Sequence, residues 1–215
     1  RSTDQALRQA LAPHGVGVLH ADDDVALLAK PSGLPSQAGR DGAPGLIEHL
    51  WRAGFDQAAL HHRLDQPASG VIAVALAGRA NPGLAEAFRT RRATRVYRAV
   101  LGAPVQDGCW EAPLEGQPAR THVRVVGTGS GYTAVEVRLE TGRTHQIRRH
   151  AAGVGAPILG DRRYGQELGR AWPRLALHAW HLALAHPVTG AALAARAPLP
   201  EDLAPLWTLA GGPAG

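Results

Sequence analysis

Residues 132–152, YTAVEVRLETGRTHQIRRHAA, change their period partway along. Over 132–140 the side chains alternate: Val135, Val137 and Leu139 are set to point inward while Glu136, Arg138 and Glu140 face water, which predicts a half-buried β-strand. Thr141-Gly142 breaks the alternation as a turn. Residues 143–152 then take helical spacing, with His145 one turn from Arg149, and Gln146 three and four residues before Arg149 and His150. One strand, one tight turn and one short helix thus follow each other within 21 residues.

Working outward, the same alternation predicts strands over 94–101 and 122–126, and compact apolar runs predict strands over 25–29, 70–77 and 175–185. Helices are expected over 4–11, 46–52, 84–91 and 203–209, the first ended by Pro13 and the third started by Asn81-Pro82. Many strands returning through short turns, with few helices between them, predict an α+β fold with a mostly antiparallel mixed sheet flanked by helices, not a doubly wound sheet. Residues 1–22 read as a short N-terminal leader and 23–210 as a single catalytic domain.

The composition fits an ordinary soluble globular protein: 45% of residues are hydrophobic and 19% charged. A chain of 215 residues buries roughly 70% of its unfolded surface, enough for a rigid site without metals or disulfides. No apolar run approaches the roughly 20 residues of a membrane span, and the N-terminus lacks the apolar core of a signal peptide, so a cytoplasmic protein is expected. Cys109 is the only cysteine, which excludes an intrachain disulfide and a Cys-based zinc cluster. The net charge is +5, and Lys30 is the only lysine, so nearly all cations are guanidinium groups suited to bidentate phosphate contacts.

Two stretches concentrate reactive side chains. His61-His62-Arg63-Leu64-Asp65-Gln66-Pro67-Ala68-Ser69-Gly70 precedes an apolar strand, so a sheet can hold the Asp65 carboxylate rigidly while a loop leaves it reachable. The plainer reading of this stretch is a turn in which Arg63 pairs with Asp65. The helical segment after Thr141 presents several polar groups on one side, either to a phosphate or carboxylate or simply to solvent. Tyr97 is either a core residue or a base-stacking ring. Asp161 is either a second acid or a turn-holding carboxylate. Lys30-Pro31-Ser32-Gly33 lacks the glycine series of a phosphate loop and reads as a substrate-side turn or plain structure.

Taken in order, His62-Arg63-Leu64-Asp65 with Ser69-Gly70, Thr141-Gly142-Arg143-Thr144-His145-Gln146-Ile147-Arg148, Lys30 to Leu34, Val96 to Ala99, Pro157 to Asp161, and Arg174 to Ala179 with His186-Pro187 resemble the RluA-type RNA pseudouridine synthase family. The resemblance implies that Asp65 is the catalytic carboxylate, that Tyr97 packs on the target base and assists proton handling, and that Arg143 pairs with Asp65 and orients it as an anion. It implies RNA or target-base contacts from Arg63, His62, Leu177, His145 and Arg148. Leu177 would form part of the apolar wall of the uracil pocket.

The implied substrate is structured RNA, ribosomal or transfer, with the target base taken out of its stack. Neither cofactor nor metal is implied, and no obligatory protein partner. Ala68 stands where the family commonly has Thr, and Arg95 where it commonly has Lys. The sequence begins almost directly with the matching region, without room for the S4-like RNA-binding domain of some relatives. Two other activities suit the same residues: a base-flipping RNA-binding protein without catalysis, and a retaining N-glycosidase using Asp65 and Asp161.

Overall fold

The computed structural model describes residues 2–215. The chain forms two compact units: one runs to Thr94 and is completed by Ala179–Ala197, and the other holds Arg95–His178 and Pro198–Gly215.

The first unit opens with α1 (Thr3–Leu11), capped by the Ser2 side chain, which accepts the Gln5 N–H at 3.3 Å. Leu7 and Leu11, four residues apart, are fully buried on one face of this helix. Gly15, at φ 70°, ends the turn after it and returns the chain into β1 (Gly17–Ala21), antiparallel to β2 (Val25–Lys30). From Thr3 onward, the segment expected as a leader supplies a core helix and a sheet strand. The hairpin is closed by Asp22, whose Oδ1 accepts the N–H groups of Asp24 and Val25 at 2.8 and 2.9 Å. Burial pushes the Asp22 carboxyl up, but those two amides with His20 and His186 bring it down to about 2.

β2 pairs antiparallel with β4 (Ser69–Ala75), whose seven residues are all buried, and the register sets Lys30 opposite Gly70. Gly70 has φ 123°, and a Cβ there would lie 2.2 Å from the Ala179 carbonyl oxygen, so only glycine lets these backbones approach. β3 (Ala59–Leu60) also pairs with β4. The unit is completed by α2 (Leu46–Arg52), α3 (Asn81–Arg89), and the hairpin of β9 (Leu177–Ala185, of which Ala179 onward belongs here) with β10 (Ala192–Arg196).

In the second unit, β5 (Thr94–Leu101, from Arg95 onward) pairs antiparallel with β8 (Tyr132–Leu139), β8 with β7 (Thr121–Gly129), and β7 with β6 (Gly108–Trp110). Ser130 and Gly131, both at positive φ, form the two-residue turn between β7 and β8. The expected inward residues Val135 and Val137 are buried, and Glu136 is drawn out of water by Arg98 and Arg124, at 3.4 and 2.7 Å. α4 spans Gln146–Gly153, three residues later than expected, because His145 takes a left-handed conformation (φ 54°) that ends the turn before it. α5 (Ala204–Leu209) closes the chain. Among the described residues no helix is long and apolar enough to cross a membrane.

Because Leu7 is fully enclosed, Leu7→Ala is expected to cost about 2–5 kcal/mol of unfolding free energy. Urea unfolding of the two proteins checks this, and an unchanged midpoint would show that Leu7 contributes nothing to the core.

Candidate active site

Asp65 lies in the first unit, in the loop that leads into β4, and its backbone is held by a second loop, residues 31–36 after β2. Lys30 closes β2 and is only 1% exposed. Its Nζ donates to four carbonyl oxygens: Pro31 at 2.9 Å, Leu34 at 2.6 Å, Gln66 at 3.2 Å and Ala68 at 2.7 Å. An ammonium has three protons and no acceptor, so it can organise only oxygens, and the carbonyls gathered here come from both loops. Around this centre Ser36 Oγ accepts the Leu64 N–H at 3.0 Å and donates to the Leu64 carbonyl at 2.8 Å. Ser32 Oγ donates to the Pro67 carbonyl at 2.7 Å, and Gly33 and Gln66 exchange bonds of 2.8 and 3.0 Å. The Ala68 N–H closes a turn on the Asp65 carbonyl at 2.9 Å. Residues 64 and 66–68 are thereby fastened while the Asp65 side chain, between them, stays half-buried.

The other end of the loop is fastened to α3. His62 Nε2 accepts the Ala73 N–H at 2.9 Å, and its ring stacks on Phe88 with centroids 4.0 Å apart and planes 14° apart. His61 Nε2 bonds the Asn81 carboxamide oxygen at 2.8 Å. His62, expected as an RNA contact, has this ring face and nitrogen committed to positioning the loop. Arg63 is exposed.

Tyr97, Arg143, His145, Arg148 and Leu177 belong to the second unit. Tyr97 is buried on β5 opposite Val137. Arg143 is half-buried, and its Nε donates to the Pro118 carbonyl at 3.0 Å. The turn that carries it is organised by the buried Gln146. Its Oε1 accepts the Thr141 hydroxyl at 2.6 Å and the Arg143 N–H at 3.1 Å, while its Nε2 donates to the Arg120 carbonyl at 3.0 Å and Thr121 Oγ1 at 2.9 Å. All four bonding sites of the carboxamide are used. Thr121 in turn bonds His150 Nδ1 at 2.8 Å, and His150 Nε2 reaches the Ala112 carbonyl at 2.8 Å, which assigns that proton to Nε2.

The helix expected to present polar groups outward therefore turns most of them inward. Arg148 is buried in a two-bond pair with Asp161, at 3.0 and 2.8 Å, and its guanidinium lies 5.3 Å from the Tyr164 ring centroid. Arg148, expected as an RNA contact, spends two of its donors on Asp161. Asp161 Oδ1 also accepts the Arg163 and Tyr164 N–H groups at 3.1 Å, the turn-holding reading of this residue. His145 Nδ1 bonds the Tyr164 hydroxyl at 2.8 Å. Leu177 is buried, and its carbonyl accepts from Arg174 Nη2 at 2.9 Å. Arg95, at the position where the family commonly has Lys, lays its guanidinium over Gly142: a Cβ there would come within 2.9 Å of Nη1.

Asp22, Asp24 and His186 bring three possible metal ligands within 4.8 Å of one another. They do not suit a cation. His186 Nδ1 accepts the Val188 and Thr189 N–H groups at 3.1 Å, so the proton sits on Nε2, which faces Asp22 Oδ2 at 2.9 Å and has no lone pair to offer. Asp24 is occupied by Arg79.

Sequence reading passed over Lys30 as a turn residue and Gln146 as one of several polar helix positions. The signal for Lys30 was there: the only lysine of the chain stands at the end of an apolar strand, before Pro31. Lys30→Met is expected to lower unfolding stability by about 3–5 kcal/mol, since buried carbonyls lose a charged donor; guanidinium unfolding reads this, and a variant as stable as wild type would dismiss the clamp. For Asp161, burial pushes the carboxyl up but Arg148 and the two amides hold it below its ordinary value. A depressed folded pKa contributes stability that is present above the ordinary carboxylate range and is lost as the pH falls through the folded pKa. Asp161→Asn should therefore lose about 3–5 kcal/mol at pH 7 and show a shallower fall in stability below about pH 4 than wild type. Urea midpoints across pH 3–7 test both, and parallel pH curves would contradict them.

Residues 24–153 match the sequence profile of the RNA pseudouridylate synthase family. The chain is 38% identical over 222 residues to ribosomal large subunit pseudouridine synthase D of Xanthomonas campestris, covering 87% of this chain and 67% of that one. It is 33% identical over 226 residues to the protein of the same name from Pseudomonas aeruginosa, covering 89% and 70%. Among solved structures it resembles human RNA pseudouridylate synthase domain containing 1 (TM-score 0.74, 25% identity, 87% and 84% covered) and human RNA pseudouridylate synthase domain containing 4 (TM-score 0.71, 26% identity, 95% and 96% covered). The expected α+β fold, family and activity all stand on these likenesses, and the chain belongs to the RNA pseudouridylate synthase family, whose members isomerise uridine to pseudouridine in RNA.

Proposed function

We propose that this protein isomerises uridine at a defined site in the RNA of the large ribosomal subunit, with Asp65 as the attacking carboxylate. The observation that carries the substrate is the identity, over nearly nine-tenths of the chain, to relatives named for large-subunit pseudouridine synthesis. The observation that supports Asp65 is the fastening of its loop, because a nucleophile must be held in a productive geometry while the rest of its surroundings stays fixed.

In the reaction the bond between uracil N1 and ribose C1′ breaks, the freed base rotates, and C5 bonds to C1′. The C5 proton leaves and N1 gains one, so RNA mass and redox state are unchanged. Asp65 acts at ribose C1′ or promotes a glycal-like route, Tyr97 packs on the base and handles protons, and Arg143 orients the carboxylate. Arg63, exposed beside Asp65, holds the target-bearing strand, and Leu177 supplies apolar wall to the uracil. This chemistry asks for no metal or organic cofactor. A cytoplasmic site of action, where ribosomes are assembled, belongs to the same proposal.

The experiment is site-resolved pseudouridine mapping of total RNA from cells with and without the gene, complemented by wild type or by Asp65→Asn. One mark in large-subunit ribosomal RNA should vanish on deletion and return only with wild type. A mark confined to transfer RNA would overturn the substrate, restoration by Asp65→Asn would overturn the nucleophile, and loss of no mark would favour a noncatalytic RNA-binding role.

A further inference from the structure

Residues 161–170, DRRYGQELGR, lie in the second unit and close on themselves. The Asp161 carbonyl accepts the Gly165 N–H at 2.7 Å, and the Gly160 N–H reaches the Leu168 carbonyl at 3.1 Å. A Cβ at Gly165 or at Gly169 would lie 2.4 or 2.8 Å from that same Asp161 oxygen, so the loop folds this tightly only with glycine at both places. A Cβ at Gly169 would also lie 3.2 Å from the Arg162 Cα. One chain step beyond Gly169 stands Arg170, so the Cα atoms of Arg162 and Arg170 are at most about 9 Å apart.

This packing gathers positive charge. Arg162, Arg163 and Arg170 are all exposed. Arg163 lays its guanidinium 5.6 Å from the Tyr164 ring centroid. Among the described residues, the Arg162 and Arg170 side chains have no ion pair, hydrogen bond or ring contact. The carboxylates of the loop do not offset them: Asp161 is spent on Arg148 and on the Arg163 and Tyr164 amides, and Glu167 is exposed and pairs with neither arginine.

The loop is also fastened to the segment that carries Arg143. The Tyr164 hydroxyl bonds Nδ1 of His145, two residues after Arg143, and the two-bond Asp161–Arg148 pair holds the start of the loop against α4. Arg162 stands between these two anchors in the chain, and the Gly169 contact brings Arg170 to its side.

We infer that Arg162 and Arg170 bind backbone phosphates of the substrate RNA and so set its register against the turn that carries Arg143. The inference rests on the proposal that RNA is the substrate. Guanidinium groups take phosphate in two-bond fashion, and such contacts fix position and add affinity without reading sequence. Two of them held close together on one closed loop engage one stretch of backbone.

The test compares wild type with Arg162→Gln/Arg170→Gln, which keeps Asp161, Tyr164 and both glycines, so Tm is expected to stay at the wild-type value. A matched control, Arg40→Gln/Arg52→Gln, removes the same charge from exposed positions of the first unit. Binding of an unmodified in-vitro transcript of large-subunit ribosomal RNA is measured from 50 to 200 mM salt, alongside pseudouridine formation on the same transcript. Losing two phosphate contacts reduces the slope of log affinity against log salt by about 1.4–1.8, so over that fourfold range wild type should weaken about 7–12-fold more than the variant. Arg162→Lys/Arg170→Lys, which keeps the charge, should keep the wild-type slope. The loss in turnover of the glutamine variant should appear in KM and not in kcat.

A wild-type slope in the glutamine variant, an equal fall in the Arg40/Arg52 control, or a fall in the lysine variant as large as with glutamine would overturn the inference. The binding arm does not depend on turnover. Wild type that shows the expected slope difference but forms no pseudouridine on the transcript would uphold the phosphate contacts and reject the proposed substrate.

Discussion

A single buried ammonium organises the surroundings of Asp65. Lys30 leaves β2 and, instead of reaching water, turns into a cage of four carbonyl oxygens drawn from its own loop and from the loop that follows Asp65. Taking a lysine out of water is costly unless its protons are well placed, so the carbonyls must stay where they are for the charge to stay buried. The constraint runs both ways: the loop holds the lysine, and the lysine holds the loop. Ser32, Ser36 and the Gly33–Gln66 bonds extend that rigidity, and the side chain left to project from the fastened backbone is the carboxylate.

The second unit fastens its own turn and helix with a carboxamide and a buried ion pair. Gln146 uses all four of its bonding sites on the turn that carries Arg143, and the buried Arg148–Asp161 pair fixes the following helix against the Pro157 to Tyr164 segment. Motif residues that look equally functional in the sequence therefore divide into two groups. Arg63 is exposed and Asp65, His62 and Arg143 are half-buried, whereas Lys30, Gln146, Arg148 and Asp161 are buried.

Much of this was legible beforehand. The alternation in 132–140 and the apolar run before it depend on local periodicity, and the strands formed where the periodicity put them. The ordered motifs carried the family. The packing of α1 was hard to read because it shows only Leu7 and Leu11 to the core, too few positions to mark a short packed helix. The start of α4 misled because His145 adopts a left-handed backbone that no local preference announces. The pairing of Arg148 was not legible because its partner, Asp161, is thirteen residues away. A long-range ion pair leaves no period in the chain, and only the folded structure reveals it.

The chain's single ε-amine permits a direct measurement of the central claim. Native protein is treated with an amine-specific acylating reagent at increasing denaturant, and modification at Lys30 is read by peptide mass mapping. If the clamp holds, Lys30 stays unmodified in the folded protein and reacts only in step with the global unfolding transition. Acylation of Lys30 in native protein at the rate of an exposed lysine, with the fold intact, would show that the ammonium does not hold the Asp65 loop.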